Sequence, residues 1–265
     1  MSMRTKSKTK DIQRHPLRTS KTEARKHILS PDTKFVITEA YNSARTNMIF
    51  ALSTCESKVL VFSSASPAEG KSTTAINMSI SFAATGAKVL LIDGDLRKPV
   101  IHSLFRLKKG NGLSSILGGM CTVAEAIHSN IRENLDVIAS GPIPPNPAEL
   151  LGSPNMKELV DVLSNHYDYI LVDTPPVNVV SDSQLLNPVA AGLILVIRDN
   201  YTKHGDVQQA LNNINLANGK VLGFVKTACR AKKQGGYYKK PYYKYGNYRY
   251  DYSYSYKASA EDTDD

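Results

Sequence analysis

The string ASPAEGKST at residues 65–73 decides how the rest of this sequence is interpreted. It follows an apolar run, VLVF at residues 59–62, and opens a stretch of helical character that continues to about residue 85. A strand, a short loop and a helix beginning at G-K-S-T form the P-loop pattern, here with alanine in place of the first glycine. Converging backbone N–H groups and a helix N-terminus favour a bound phosphate at such a loop. We therefore predict that ATP is bound by Ala65, Ser66, Pro67, Ala68, Glu69, Gly70, Lys71, Ser72 and Thr73.

Two further apolar runs end in acidic residues. LLIDGDLR at residues 90–97 carries Asp93 and Asp95 two positions apart, so that both carboxylates lie on one face of a strand. YILVDTPP at residues 169–176 ends its apolar part at Asp173, which is the Walker B pattern. The carboxyl ends of strands line the ligand crevice of a doubly wound sheet, so these acids are expected beside the phosphate loop.

The chemistry expected of this group is phosphoryl transfer from ATP. Lys71 supplies a charge that reaches the phosphate oxygens, and Mg²⁺ is expected on Ser72, Asp93 and Asp173. If the acceptor is a tyrosine, a carboxylate must take its proton, because the pKa of the tyrosine hydroxyl is about 10. Asp93 and Asp95 are both candidates for that role.

The remaining apolar runs complete an alternating strand and helix pattern. They lie at residues 88–93, 135–139, 193–197 and 221–225, and they are nearly continuous, which is typical of strands covered on both faces. Helical stretches between them, and one before the first strand at residues 39–53, predict right-handed crossovers. The predicted fold is α/β, a doubly wound and mainly parallel sheet of about six to eight strands.

The two ends of the chain differ from its middle. Residues 1–34 carry ten Lys or Arg and three acids and almost no aliphatic side chains, which predicts a basic flexible segment. Residues 35–229, the predicted P-loop domain, carry fifteen basic and sixteen acidic residues. Since the net charge of +9 belongs to the ends, the domain has no basic face that would indicate a nucleic-acid partner.

Residues 230–265 form a low-complexity tail without Leu, Ile, Val, Met or Phe, which predicts a disordered segment with no core of its own. On these residues alone, the tail is either a high local concentration of phosphate acceptors or a basic aromatic segment that stacks on RNA bases. It holds ten of the fourteen tyrosines: Tyr237, Tyr238, Tyr242, Tyr243, Tyr245, Tyr248, Tyr250, Tyr252, Tyr254 and Tyr256.

Composition also bears on the compartment. Cys55, Cys121 and Cys229 are widely spaced, which is typical of a reducing cytosol and argues against a disulfide framework or a zinc site. No run approaches the ~18 apolar residues of a membrane span, and the basic N-terminus lacks the apolar region of a secretory signal. We expect a cytoplasmic chain that reaches a membrane only through a partner.

Taken together, these motifs resemble the bacterial tyrosine kinases of capsule and exopolysaccharide systems, and in particular the cytoplasmic half of the split Gram-positive kind. The resemblance covers residues 35–228 and adds two strings: DGDLRKP at residues 93–99, the Walker A′ motif, and GPIPPNPAELL at residues 141–151. The Tyr-rich tail is a further family feature. The resemblance implies catalytic roles for Asp93, Asp95 and Lys71, with Arg97 close to the same site.

The resemblance also implies the biological setting. It implies Mg²⁺- and ATP-dependent phosphorylation of the tail tyrosines in trans, between subunits of a ring. A separate transmembrane activator chain of the polysaccharide co-polymerase type would recruit the kinase to the inner face of the cell membrane and stimulate it, and basal activity would be weak. The output would be control of polysaccharide biosynthesis and export, with sugar-nucleotide enzymes as further substrates.

Three positions depart from the family pattern. The subunit-contact motif E-x-x-R-x-x-R retains Glu39 and Arg45 for oligomerisation but has Asn42 in the middle, which cannot pair with a carboxylate in the bidentate way of arginine. Ala68 stands where the family commonly has glycine, and it costs on the order of 1 kcal/mol if that position needs a positive φ. After the last strand, residues 226–227 are Lys and Thr, where related ATPases use an asparagine against adenine.

Two other functions share these motifs. A ParA- or MinD-like switch ATPase has the same sheet and Walker motifs, but its P-loop carries a signature lysine where this chain has Ser66. A membrane-targeting version also needs an amphipathic C-terminal helix, which a tail without aliphatic residues cannot supply. The third alternative is a non-catalytic nucleotide-binding adaptor whose basic aromatic ends bind RNA.

Overall fold

A single seven-stranded sheet runs through the protein. A computed structural model describes residues 21–229, and the strand order in its sheet is β3-β4-β2-β5-β1-β6-β7. All neighbouring strands pair in parallel except β3 and β4, which are antiparallel. The strands are β1 Val59–Ser64, β2 Val89–Asp93, β3 Ile127–Arg132, β4 Leu135–Ile138, β5 Tyr169–Asp173, β6 Gly192–Arg198 and β7 Val221–Thr227. The predicted doubly wound, mainly parallel α/β fold is confirmed.

Helices cover both faces of this sheet. They are α1 Lys21–Arg25, α2 Phe35–Leu52, α3 Lys71–Ala83, α4 Ile101–Leu104, α5 Leu113–Leu117, α6 Val123–Ala126, α7 Pro147–Leu151, α8 Pro154–Ser164 and α9 His204–Leu216, with a 3₁₀ helix η1 at Asp182–Leu186. Buried side chains of α2, α3 and α4 pack on one face of the sheet, and those of α5, α7, α8 and α9 pack on the other. Within the described residues no helix is both long and apolar enough to cross a membrane.

The central strands are apolar on both faces because both faces are covered. Every residue of β1, β2 and the last four positions of β5 is buried. The order of the strands places β5 in the middle, with β2 on one side and β1 on the other. The loops that follow β1, β2 and β5 therefore leave the sheet side by side at its carboxyl edge.

The structured part extends N-terminal to Phe35, where the sequence pattern placed its start. Residues 21–34 contain α1 and a buried Leu29. Asn77 of α3 holds this segment, because its side chain accepts the backbone N–H of Leu29 at 2.8 Å and donates to the backbone oxygen of His27 at 2.8 Å. These contacts come from the folded domain, so the local composition of residues 21–34 did not indicate them.

The strand β3 was not predicted. Its sequence IHSNIR is short and half polar, and its residues are exposed or half-buried, because it lies at the edge of the sheet and pairs only with β4. The pairing is also irregular, with a register shift between His128 and Arg132. An edge strand of this kind lacks the continuous apolar run that identified the others.

Candidate active site

The phosphate loop joins β1 to α3 and contains two residues with left-handed backbone. Gly70, the residue before α3, has φ 92°, and Ala68 has φ 65°. Glycine adopts this conformation freely, whereas a residue with a Cβ is strained in it, at a cost on the order of 1 kcal/mol. Position 68 therefore does need the conformation that glycine favours, and this chain uses alanine there.

Lys71 lies at the centre of a cluster of opposite charges. Its Nζ is 3.1 Å from Asp95 Oδ2, 3.3 Å from Asp173 Oδ1 and 3.2 Å from the Ser72 hydroxyl. Burial alone lowers the pKa of Lys71, but the nearby Asp173 and Asp95 carboxylates outweigh it and leave the pKa raised. Lys71 therefore stays charged. The structure thus brings together four side chains that the sequence analysis assigned to one site.

Asp93 lies behind this cluster. It is fully buried, its Oδ2 accepts the backbone N–H of Ile101 at 3.1 Å, and its Oδ1 has no hydrogen-bond partner. Burial and the neighbouring Asp173 carboxylate raise the pKa of Asp93 to about 8. A buried carboxylate oxygen without a partner is costly unless it binds a proton or a cation.

A glycine fixes the distance between the two acidic strand ends. Gly94 donates its backbone N–H to the Asp173 carbonyl at 2.8 Å. A Cβ at position 94 would lie 2.9 Å from that same oxygen, which is too close for any side chain. The G in the D-G-D string therefore lets the residues after β2 approach β5, and this approach sets Asp95 beside Asp173.

A cavity of about 390 Å³ opens beside this cluster. Of the predicted site residues it is lined by Pro67, Ala68, Gly70, Lys71, Ser72, Thr73, Asp95 and Arg97, and its other walls include Ala24 of α1 and residues 175–176. Asp93 and Asp173 do not line it. Asp95 is thus the carboxylate of the D-G-D pair that faces the cavity, whereas Asp93 lies in the protein interior.

Arg97 lies at the rim of the cavity in a bidentate ion pair. Its Nε and Nη2 donate to the two oxygens of Asp182 at 2.8 and 3.0 Å, and Asp182 is fully buried. The hydrogen bond to Asp182 raises the pKa of Arg97. Arg97 thus lies near the site, as the resemblance implied, and its third guanidinium nitrogen, Nη1, takes no part in the ion pair with Asp182. Asp182 lies 85 residues further along the chain, so no local motif identified it.

Three of the predicted loop residues, Ala65, Ser66 and Glu69, do not line the cavity, and Glu69 points to the outer side of the loop. It is 1% exposed, and its Oε2 accepts the backbone N–H of Ser66 at 3.0 Å, while its Oε1 accepts the Thr202 hydroxyl at 2.6 Å. Burial raises its pKa. The hydroxyl of Thr227 donates to the Glu69 backbone oxygen at 2.7 Å. Glu69 therefore anchors the loop from its outer side.

The donor set fits a magnesium ion bound with a nucleotide. One hydroxyl, Ser72, lines the cavity, the buried carboxylates Asp93 and Asp173 lie behind its wall, and Asp93 offers an oxygen without a partner. Among the described residues, no group of three or more His, Cys, Asp or Glu side chains converges to hold a metal by itself. Mg²⁺ commonly uses one or two carboxylates and completes its shell with phosphate oxygens and water, so few protein ligands suffice.

The predicted contact motif lies on α2, outside the residues that line the cavity. The Asn42 amide donates to Glu39 Oε1 at 2.8 Å, and Arg45 Nη1 donates to Asn42 Oδ1 at 3.1 Å and to the Ser81 hydroxyl at 3.0 Å. The three motif residues thus bond to one another and to α3. The tail tyrosines, Tyr237 to Tyr256, lie outside the described residues.

Comparison with known proteins identifies relatives over most of this chain. The family pattern of the AAA domain matches residues 57–223. Tyrosine-protein kinase YwqD of Bacillus subtilis is 41% identical over 213 residues, which are 80% of this chain and 90% of that protein. The putative tyrosine-protein kinase CapB of Staphylococcus aureus is 37% identical over 205 residues, covering 77% and 90%.

Solved structures give the same result. The chimerical protein CapA2B2 superposes with a TM-score of 0.71 at 37% identity, over 74% of this chain and 86% of that one. The kinase domain of the Escherichia coli tyrosine kinase ETK gives 0.69 at 31% identity, over 76% and 80%. The septum site-determining protein MinD of Pyrococcus horikoshii, at 23% identity and a TM-score of 0.53, shares the fold alone. The chain belongs to the bacterial tyrosine-protein kinases.

Proposed function

We propose that this chain transfers the γ-phosphoryl group of ATP to tyrosine hydroxyls, first of all those of its own C-terminal tail. The observation that carries the proposal is the convergence of Asp95, Asp173 and Ser72 on Lys71, which lines one cavity together with Asp95 and Ser72. Phosphoryl transfer depends on positioning and charge neutralisation more than on covalent chemistry, and this cluster supplies both. Membership in the tyrosine-protein kinases supports a tyrosine as the acceptor.

The phosphate loop and α3 would hold the nucleotide. Lys71, buried and charged, is positioned to contact phosphate oxygens, and the backbone of residues 65–73 surrounds them at the helix N-terminus. Ser72, Asp173 and Asp93 would hold Mg²⁺. When bound, the ion neutralises charge on the β and γ phosphates. Arg97 keeps free N–H donors at the rim of the same cavity, where they can meet a phosphate or the approaching substrate.

We assign to the Asp93 and Asp95 pair the role of general base, which accepts the hydroxyl proton of the incoming tyrosine. Asp95 lines the cavity and can reach the hydroxyl, with its Oδ1 oriented by the backbone N–H of Lys98 at 2.9 Å. Asp93, directly behind it, has an oxygen without a partner. Asp95 is therefore the better placed of the two to accept the proton, because Asp93 does not line the cavity and is already proposed as a ligand of Mg²⁺.

The setting of the reaction follows the family. We propose that the tail of one subunit enters the site of another within a ring whose contacts involve Glu39 and Arg45. A transmembrane activator chain of the polysaccharide co-polymerase type would bring the kinase to the inner face of the membrane and raise a weak basal activity. Curated relatives carry names such as CapB and CpsD. These names support control of capsular or exopolysaccharide synthesis and export. The proposal of sugar-nucleotide enzymes as further substrates rests on the family resemblance alone.

Intact-mass analysis of the purified full chain after incubation with Mg²⁺ and ATP tests the proposal. The chain is measured with and without a candidate activator segment, and Lys71→Met serves as the inactive control. We expect successive additions of one phosphate that map to Tyr237–Tyr256 and are absent from the control. Mixing active chain with a longer, tagged Lys71→Met chain tests the trans reaction, because only a trans reaction modifies the tagged chain.

The rival function makes the opposite prediction. A switch ATPase would hydrolyse ATP without any gain in mass, with or without the activator segment. Hydrolysis alone under all of these conditions would overturn the kinase proposal and leave the tail tyrosines without a role in catalysis. Phosphate on tail residues other than tyrosine would contradict the assignment of the acceptor.

A further inference from the structure

The loop between β6 and α9 contacts the phosphate loop from its outer side. We define the clasp as three residues: Arg198 at the end of β6, and Tyr201 and Thr202 in this loop. Arg198 Nη1 donates to the backbone oxygen of Ala68 at 3.0 Å, the Tyr201 hydroxyl donates to that of Pro67 at 3.3 Å, and Thr202 donates to Glu69 Oε1 at 2.6 Å. Three consecutive residues of the phosphate loop are therefore each held by a clasp side chain.

The clasp is itself a connected unit. The backbone N–H of Arg198 donates to the Thr202 hydroxyl at 2.8 Å. This hydroxyl therefore accepts one hydrogen bond from Arg198 and donates another to the Glu69 carboxylate. The guanidinium of Arg198 lies 5.5 Å from the centre of the Tyr201 ring, in a cation–π contact. Movement of one clasp residue therefore disturbs the others.

The clasp acts on the part of the loop that is strained. Ala68 has φ 65°, a conformation that costs nothing for glycine and is unfavourable for alanine. Strained backbone persists where surrounding contacts over-determine it. The clasp contacts fall on the residue before Ala68, on Ala68 itself and on the residue after it.

We propose that Arg198, Tyr201 and Thr202 are positioning residues that hold the phosphate loop in its nucleotide-binding conformation and that offset the strain of Ala68. They act through the backbone of residues 67 and 68 and through the buried Glu69 carboxylate, which Thr202 helps to orient away from the cavity. Nucleotide affinity should therefore depend on the clasp more strongly when residue 68 is alanine than when it is glycine. The inference rests on the proposed nucleotide site.

The test measures binding of a fluorescent ADP analogue to the full chain. Thr202→Val removes the hydroxyl at constant shape, and we expect the affinity to fall about tenfold, the typical effect of losing a hydrogen bond to a charged group. Thr202→Ser retains the hydroxyl and should bind like the parent. Tyr201→Phe, which removes only the longer hydrogen bond, should lose about twofold.

Thr122→Val is the matched control. Thr122 also donates its hydroxyl to a glutamate, Glu125 Oε2 at 2.9 Å, but at the start of α6 and not at the phosphate loop. This variant should lose some thermal stability and keep the parent affinity. The decisive readout is Ala68→Gly combined with Thr202→Val, in which we expect most of the lost affinity to return, since glycine adopts the loop conformation without support.

Equal losses of affinity in Thr202→Val and Thr122→Val would overturn the proposal, as would a loss that Ala68→Gly leaves unchanged. If Thr202→Val does not fold, Tyr201→Phe with and without Ala68→Gly gives the same comparison with a smaller effect. Since the readout is binding, a chain that binds ADP but transfers no phosphate to tyrosine would contradict the kinase proposal alone. A parent chain that fails to bind ADP would overturn both.

Discussion

Two regions of this kinase, the phosphate loop and α2, each depart from the family pattern by one residue, and the contacts around the two residues differ. In the phosphate loop, Ala68 replaces glycine, and contacts from a distant loop hold the required backbone in place. On α2, Asn42 replaces arginine, and the hydrogen bonds of Glu39, Asn42 and Arg45 turn inward, toward one another and toward Ser81. The first departure leaves the local structure intact, whereas the second leaves Glu39, Asn42 and Arg45 bonded to one another and to α3.

This difference indicates where the chain tolerates variation. A loop that must bind phosphate can accept a strained residue if neighbouring elements fix it. For the proposed contact motif on α2, we predict that asparagine at position 42 acts on self-association and not on the fold of the single chain. The expected effects of mutations in the two regions differ accordingly, and the following predictions run from the largest effect to the smallest.

Lys71→Met removes the central charge of the phosphate loop. We expect the rate of tyrosine phosphorylation to fall on the order of 1,000-fold or more. The substitution removes the cation that Asp95 and Asp173 share, and it removes the positive charge that would contact the ATP phosphates. The measurement is the initial rate of phosphate incorporation into the tail. Lys157→Met, on the exposed side of α8, is the matched control and should retain the parent rate. Comparable losses in both variants would refute the assigned role.

Asp95→Asn and Asp93→Asn separate the two carboxylates of the D-G-D string. Removing a general base typically costs roughly 100-fold or more in rate, and we expect that loss for Asp95→Asn, whose carboxylate faces the cavity. Asp93→Asn should reduce the rate and also shift the Mg²⁺ dependence, since Asp93 is a proposed ligand. Rate measurements over a range of Mg²⁺ concentrations distinguish the two. A parent-like rate for the double Asn variant would contradict the proton assignment.

Asn42→Arg restores the family contact motif. We expect stronger self-association, by about tenfold in the dissociation constant, because the arginine fork pairs with a carboxylate of a neighbouring subunit in a bidentate way. Sedimentation velocity over a concentration series measures this directly. Asn42→Gln keeps an amide and should remain like the parent. An unchanged or weaker association for Asn42→Arg would indicate that subunits meet through another surface.

Ala68→Gly in the otherwise unchanged chain should have the smallest effect. Relief of the left-handed strain contributes at most on the order of 1 kcal/mol, and the greater freedom of glycine in the unfolded chain offsets part of it. We expect a two- to threefold gain in ADP affinity at most, measured by titration at equilibrium. A large gain would show that the clasp does not hold the loop in place.

Sequence patterns predicted the parts of this molecule that depend on neighbours along the chain. Continuous apolar runs identified the central strands. Because ligands bind at the carboxyl ends of parallel strands, the sequence also predicted that Asp95 and Asp173 lie close to Lys71. The contact confirms that geometric expectation, although Lys71 and Asp173 are 102 residues apart. The roles of these residues in catalysis stay predictions.

The parts that were missed depend on contacts between distant loops. Asp182 pairs with Arg97, and Thr202 reaches Glu69 across 133 residues, but neither lies in a motif or in an apolar run. Leu29 and the α1 segment are ordered by Asn77 and not by their own composition. No local pattern records such pairings, because the two partners lie 48, 85 and 133 residues apart in the chain.

The last strand ends against the phosphate loop, since the Thr227 side chain lies 3.5 Å from where a Cβ of Gly70 would be. A chain extends at most ~3.3–3.6 Å per residue, so Tyr237 can travel about 35 Å from this point and Tyr256 roughly 100 Å. Each tail tyrosine therefore corresponds to a known maximum distance from the phosphate loop. If one chain phosphorylates the tail of another, as proposed, each modified tyrosine would set an upper bound on the distance that its tail had to span, and the modified tyrosine nearest to residue 227 would limit the spacing between active sites most tightly.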